Sequence, residues 1–211
     1  SDALGMGMLR GILTLTLVIP PAITGMMFLL IEDAEFGFLT YVLESLGILD
    51  GTAPILSTAS TALIGVMLAD IWQWTPFMVL IFLAFGVKAA FPFLHNWLQD
   101  AYPNGTVTGT VFLSAFTTKL AVYAFARMFP GFEVLIWIGA VMTVFPVFFA
   151  VIENDLRKVL SYSLNNQLGF MICAIGIGTP LALNGAAAHA FAHIIYKGLL
   201  FMSMGAVLYR V

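Results

Sequence analysis

Residues 159–196 read VLSYSLNNQLGFMICAIGIGTPLALNGAAAHAFAHIIY, without one Asp, Glu, Lys or Arg. A helix needs about 20 apolar residues, at ~1.5 Å each, to cross the hydrocarbon core of a bilayer, where only the helix itself can satisfy backbone amides. The stretch is therefore close to two crossings long. Gly176-Ile177-Gly178-Thr179-Pro180 supplies the turn between them, because glycine ends a helix and proline cannot continue one. The second helix of the pair is expected to run on to about Tyr209.

The rest of the chain has the same character. Of 211 residues, 61% are hydrophobic and 9% charged, where a soluble domain carries about 25% charged residues; the mean hydropathy is +1.02. Eight Lys/Arg against eleven Asp/Glu leave a net charge of −3. No basic run is present, which excludes nucleic acid as a main partner. Cys173 stands alone and cannot form an internal disulfide or a cysteine metal cluster. The chain starts Ser1-Asp2-Ala3-Leu4, without an initiator Met or a basic n-region. It reads as a fragment of a longer protein, with both ends open to extension.

Charges mark the remaining spans. Ile12 to Ile31 is uncharged and predicts a first span kinked at Pro20-Pro21. From Thr58 to Phe91 only Asp70 and Lys88 interrupt the apolar run. That is too long for one straight helix unless it is tilted or broken near Trp74-Thr75-Pro76, and predicts one span over about Ser60 to Phe82 running on into a second, broken piece that holds Lys88. Val107 to Met128 and Val134 to Ile152 follow. The fold class is all-α: a polytopic transmembrane helix bundle of about six spans with at least one broken helix. Short basic loops stay on the cytoplasmic side, which places Arg10 and Arg157-Lys158 on one face and the acidic loop Glu32 to Ser57 on the other. In that loop, Phe36 to Leu46 is amphipathic enough to lie along the interface.

Ionisable groups inside a membrane cost several kcal/mol unless paired or hydrated, so each is a functional candidate. Asp70, beside Trp72 and Trp74, reads as a hydrated interfacial carboxylate. Two readings stay open for Lys88, which lies between small residues and just before Pro92: proton exchange in a hydrated helix break, or snorkelling to the cytoplasmic edge. Lys119 lies deep in its span with Ser114, Thr117 and Thr118 as hydrogen-bond partners. It is either a proton carrier or a lysine that holds two helices together. His189, His193 and Lys197 recur at i, i+4 and i+8, a stripe about 12 Å long on one helix face. Histidine titrates near neutral pH, so the stripe can relay protons through intervening waters. The alternatives are core packing, or metal binding by the histidine pair, which has no carboxylate close in sequence to complete a site.

From about Gly86 the sequence resembles the antiporter-like membrane subunits shared by respiratory complex I and the multi-subunit sodium/proton antiporters. The likeness rests on Gly86 to Pro103 (GVKAAFPFLHNWLQDAYP), Thr117 to Tyr123 (TTKLAVY), Asn154 to Ser163 (NDLRKVLSYS) with Gln167 to Phe170 (QLGF), and the His189, His193, Lys197 helix. Its wording is closer to the antiporter branch. The resemblance implies that Lys88 is the central protonatable residue of a broken helix, Lys119 a connecting lysine, and His189, His193 and Lys197 the continuation of a hydrated path. The first 85 residues resemble instead the permease subunit of a sugar-type ABC importer, through Ile19-Pro20-Pro21-Ala22 and Asp70 to Met78 (DIWQWTPFM). Domains are therefore expected at 1–85, permease-like, and 86–211, antiporter-like.

Three functions follow from these resemblances. One is a fragment of a proton-conducting cation/proton antiporter-type subunit using Lys88, Lys119, His189, His193 and Lys197. The second is an ABC importer permease fragment, and the third a chimeric membrane chain without transport. The implied partners are other membrane subunits of an antiporter or complex I type assembly, the lipid bilayer, and protons with sodium as a candidate coupling ion. An inner, bacterial-type cell membrane is the implied location. No ATP, flavin, quinone or metal signature is visible, so no cofactor is expected, and any enzymatic role belongs to a larger NADH:quinone oxidoreductase or antiporter complex. The antiporter resemblance also implies a mid-span glutamate ahead of Lys88; Glu32, Glu35 and Glu44 all fall in the outer loop by the charge layout.

Overall fold

The computed structural model of the chain describes residues 4–47, 55–57 and 59–210. Every regular element among them is helical. Four helical stretches are long and apolar enough to cross a membrane: Ala59–Lys88, Val107–Met128, Val134–Ile152 and Pro180–Arg210. Leu156–Ile177 has the length, 22 residues, but opens with Arg157 and Lys158 and carries Asn165, Asn166 and Gln167. The chain is a helical membrane bundle, and it divides into two compact units, residues 1–81 and 82–211.

In the first unit, α1 (Leu4–Val18) and α2 (Pro21–Ile31) are separated at Ile19-Pro20. The two prolines lack backbone N–H groups, so the ladder cannot pass through them. The Ile19 carbonyl accepts from Gln73 Nε2 at 3.4 Å. Helix α3 (Phe38–Ser45) lies in the loop expected to be amphipathic, with Phe36, Phe38 and Tyr41 exposed and Thr40 buried. Thr40 Oγ1 donates to the Glu32 carbonyl at 3.2 Å. The part of the loop at residues 48–54, and Thr58, lie outside the described residues. Helix α4 (Ala59–Lys88) corrects one expectation: its 30 residues run unbroken through Trp74, Thr75 and Pro76, so Lys88 ends a continuous helix rather than sitting in a separate broken piece. A single proline removes one ladder bond, and apolar flanks on both sides of Pro76 keep the helix going. At ~1.5 Å per residue α4 exceeds a hydrocarbon core of about 30 Å, which tilt accommodates. Asp70 is exposed in its middle.

The second unit begins with the last turns of α4. After Lys88 the chain reverses through Ala90 (φ 60°) and Phe93 (φ 66°), two non-glycine residues in the left-handed region. Such positions are disfavoured and persist only where packing holds them. Here Phe91 does so: its ring stacks on Phe125 at 5.0 Å and meets Phe82 at 5.6 Å. Then come α5 (Asn96–Asn104), α6 (Val107–Phe112), a π-helical turn (Leu113–Thr117), α7 (Thr118–Met128), α8 (Val134–Ile152), α9 (Leu156–Ile177) and α10 (Pro180–Arg210). Helix α9 is central, packed by α8, α10, α5 and α7; its Leu164, Leu168, Ile172 and Ile175 are fully buried. The α9–α10 turn is as expected, with Gly178 at φ 71° as the cap and Pro180 opening the next helix.

Candidate functional site

The π-helical turn decides where Lys119 points. A π turn displaces carbonyls from the regular i to i−4 ladder. Two of them are used by side chains: Leu113 O accepts from the Tyr102 hydroxyl at 2.9 Å, and Ser114 O from Lys119 Nζ at 2.5 Å. Lys119 Nζ also donates to Thr118 Oγ1 at 3.2 Å. The Ser114 hydroxyl, expected to help hold the lysine, bonds Val111 O at 2.9 Å instead. Lys119 is 7% exposed.

The stripe on α10 faces α9. His189 and His193 have ring centroids 6.2 Å apart, and His193 meets Tyr196 edge-on at 5.0 Å. Lys197, 1% exposed, donates to Ser163 Oγ at 2.8 Å and Leu160 O at 3.4 Å. His189 Nε2 lies 2.9 Å from Gln167 Oε1. That oxygen only accepts, so with the amide placed this way the histidine carries its proton on Nε2. Gln167 Nε2 in turn donates to Asn166 Oδ1 at 2.8 Å, and Asn166 Nδ2 donates to Thr143 O. His193 is completely buried, and neither ring nitrogen has a partner. Lys119, Lys197 and His189 all lie near enough for their charges to act on it.

Four of the five expected site residues are thus brought together: Lys119, His189, His193 and Lys197. Lys88 is half-buried at the end of α4, and its side chain makes no hydrogen bond or ion pair among the described residues. No group of three or more His, Cys, Asp or Glu suited to a metal occurs among them either. Sequence reasoning missed Ser163 and Gln167, which stand one turn apart on α9 and hold the α10 stripe. Their signal was present: polar residues at i and i+4 inside an uncharged span.

Glu32, placed in the outer loop by the charge layout, sits just beyond α2 with 3% exposure, its carboxylate against Gly65 and Oε1 without a partner. Burial pushes its carboxyl pKa above the usual range. A carboxyl raised in the fold keeps its full contribution below its unfolded pKa and loses it as pH rises through the folded pKa. Glu32→Gln, neutral throughout, is therefore expected to stabilise the chain above that window by on the order of 1 kcal/mol and to change little below it. Thermal unfolding in nanodiscs at both ends of the range reads this. Equal destabilisation at both would show that the carboxylate is partnered.

Among known proteins, the family described as "NADH:quinone oxidoreductase/Mrp antiporter, TM" matches residues 23–211. NADH-quinone oxidoreductase subunit N of Desulforudis audaxviator is 33% identical over 141 residues, 62% of this chain and 28% of that protein. NAD(P)H-quinone oxidoreductase chain 5 of a Picosynechococcus species is 34% identical over 163 residues, 74% of this chain and 23% of that one. The chain thus spans about a quarter of the length of these curated relatives. Among solved structures, the Mrp complex from a Dietzia species contains a chain with the same fold. The match has a TM-score of 0.56 at 22% identity and covers 89% of this chain and 33% of that one. The family match starts at residue 23, so it takes in most of the segment that resembled an ABC permease. The permease resemblance of that segment therefore finds no support.

Proposed function

The chain belongs to the NADH:quinone oxidoreductase/Mrp antiporter transmembrane family, and from this premise we propose that it is the proton-path portion of a cation/proton antiporter or complex I type membrane subunit. The observation that carries the proposal is the enclosed group of Lys119, Lys197, His193 and His189. Two buried lysines flank a buried histidine with both nitrogens free, and neither lysine forms an ion pair among the described residues. Ammonium groups buried without a counter-ion are too costly to keep as packing alone, whereas groups that gain and lose protons through water have a use for that position. In this scheme Lys88 is the loading group, Lys119 the connection, and His193 with His189 and Lys197 the onward path. Other membrane subunits supply the remaining exit groups and the alternation between states, in an inner membrane of bacterial type, with protons carried and sodium as a candidate coupling ion.

A pH-gradient dye assay in liposomes tests this. The 211-residue chain by itself is expected to give neither sodium-coupled nor uncoupled flux above empty vesicles, because a relay without a bistable element only exchanges protons with water on its own side. Assembled with the membrane subunits that co-purify with it, it is expected to conduct, and Lys119→Met or Lys197→Met to remove most of the flux. Sodium-dependent flux from the lone chain that Lys88→Ala abolishes would show that partners are not needed. Unchanged flux in both Lys→Met variants of a conducting assembly would overturn the relay.

A further inference from the structure

We propose that His95, Gln99 and Asn165 hold internal water where α5, α8 and α9 meet, forming a side branch that brings protons from the half-exposed His95 toward the polar stripe of α9. His95 Nδ1, both polar atoms of Gln99, and Asn165 Oδ1 are all buried, and none has a hydrogen-bond partner. Gln99 is 7% exposed and Asn165 2%. Buried amides left unbonded cost more than one site in a packed core normally carries, and ordered water is the usual remedy.

The three groups lie on elements that pack together. Gln99 follows His95 by one turn and lies with Leu98 and Tyr102 on the buried side of α5, which packs on α9. The His95 ring meets Phe145 of α8 edge-on at 5.6 Å. Asn166, next to Asn165, donates to Thr143 O two residues along the same helix. His95 and Asn166, the neighbour of Asn165, are therefore both held against one turn of α8. Two donors, counting the Gln99 amide as two N–H groups, and three potential acceptors can each be met by bridging water, which needs two to four polar partners. From there the chain of Asn166, Gln167 and His189 leads along α9 to the buried histidine.

This branch rests on the proposed proton path, but its water can be detected without any flux. X-ray radiolytic footprinting of the full chain in nanodiscs, in isotopically labelled water, reads internal water through oxygen incorporated into neighbouring side chains. Leu98 and Met142, both fully buried beside the junction, are expected to take up label. Gln99→Leu with Asn165→Leu is expected to lose that label, without the rise in unfolding temperature that replacing dry, unbonded amides by leucine would give. Absence of label in the unsubstituted chain overturns the proposal even if the variant does not fold. A folded double variant with a raised unfolding temperature overturns it too. Label present, with proton flux of the conducting assembly unaffected by the double substitution, removes the branch from the proton path while leaving the Lys119 group untouched.

Discussion

Gly169→Leu is expected to prevent the second unit from holding together. Helices α8 and α9 approach so closely that their backbones touch through Gly139, Gly169 and Gly176. A Cβ at Gly169 would stand 2.6 Å from Thr143 N and 2.7 Å from Gly139 O, both main-chain atoms that cannot swing aside. In a membrane, where no hydrophobic force presses helices together, close contact of small residues is a main source of association. Even alanine must push the helices apart. Separation would break the Asn166 to Thr143 bond, which holds the amide that Gln167 donates to. Overpacking costs about 1–3 kcal/mol where side chains can adjust, and more where backbone must move. A loss above about 3 kcal/mol for leucine, and roughly half that for Gly169→Ala, is the expected result. Thermal unfolding of the chain in nanodiscs, followed by circular dichroism, measures it. An unchanged midpoint for leucine would mean that the α8–α9 seam is not closed as described.

What could be read in the sequence was whatever depends on length and local chemistry. The uncharged run from Val159 and its Gly-Pro punctuation located the α9–α10 turn, and charge-free lengths located Val107–Met128 and Val134–Ile152. The i, i+4, i+8 stripe appeared on one face of α10 because helical spacing alone dictates it. What depends on another part of the chain did not show. The burial of Glu32 did not show, because its carboxylate lies against Gly65, a residue with no side chain to signal the contact. The π turn before Lys119 has the same residue pattern as an α-helix, and one of its displaced carbonyls is taken by the Tyr102 hydroxyl, brought in from α5. The second, broken piece expected to hold Lys88 was read from length alone, which one tilted helix also satisfies.

Arg157 shows the same divide, and it carries the second large effect. In the sequence it is half of a basic pair that fixes which side of the membrane a loop occupies. In the structure its Nη2 donates to Tyr102 O at 3.1 Å, Gly105 O at 2.7 Å and Thr110 Oγ1 at 2.7 Å. These oxygens include carbonyls at the end of α5, where a helix leaves acceptors without ladder partners and where positive charge is favoured. Tyr102 O keeps a second donor, Thr110 Oγ1 at 2.9 Å, but Gly105 O has no other described side-chain donor. Arg157→Ala is therefore expected to cost about 3 kcal/mol, the scale of one or two charge-assisted hydrogen bonds with an acceptor left bare. Arg157→Lys should recover only a minority of it, because the shorter, more flexible lysine stem does not carry its nitrogen to the place where Nη2 meets these oxygens. The damage should also travel. Tyr102 anchors the π turn through Leu113 O, and the same turn presents Ser114 O to Lys119. Amide hydrogen exchange over residues 113–117 should therefore speed up in the alanine variant more than exchange in α8, which Arg157 does not touch. Equal exchange in the two regions would confine Arg157 to stabilising the α5 end and sever it from the setting of Lys119.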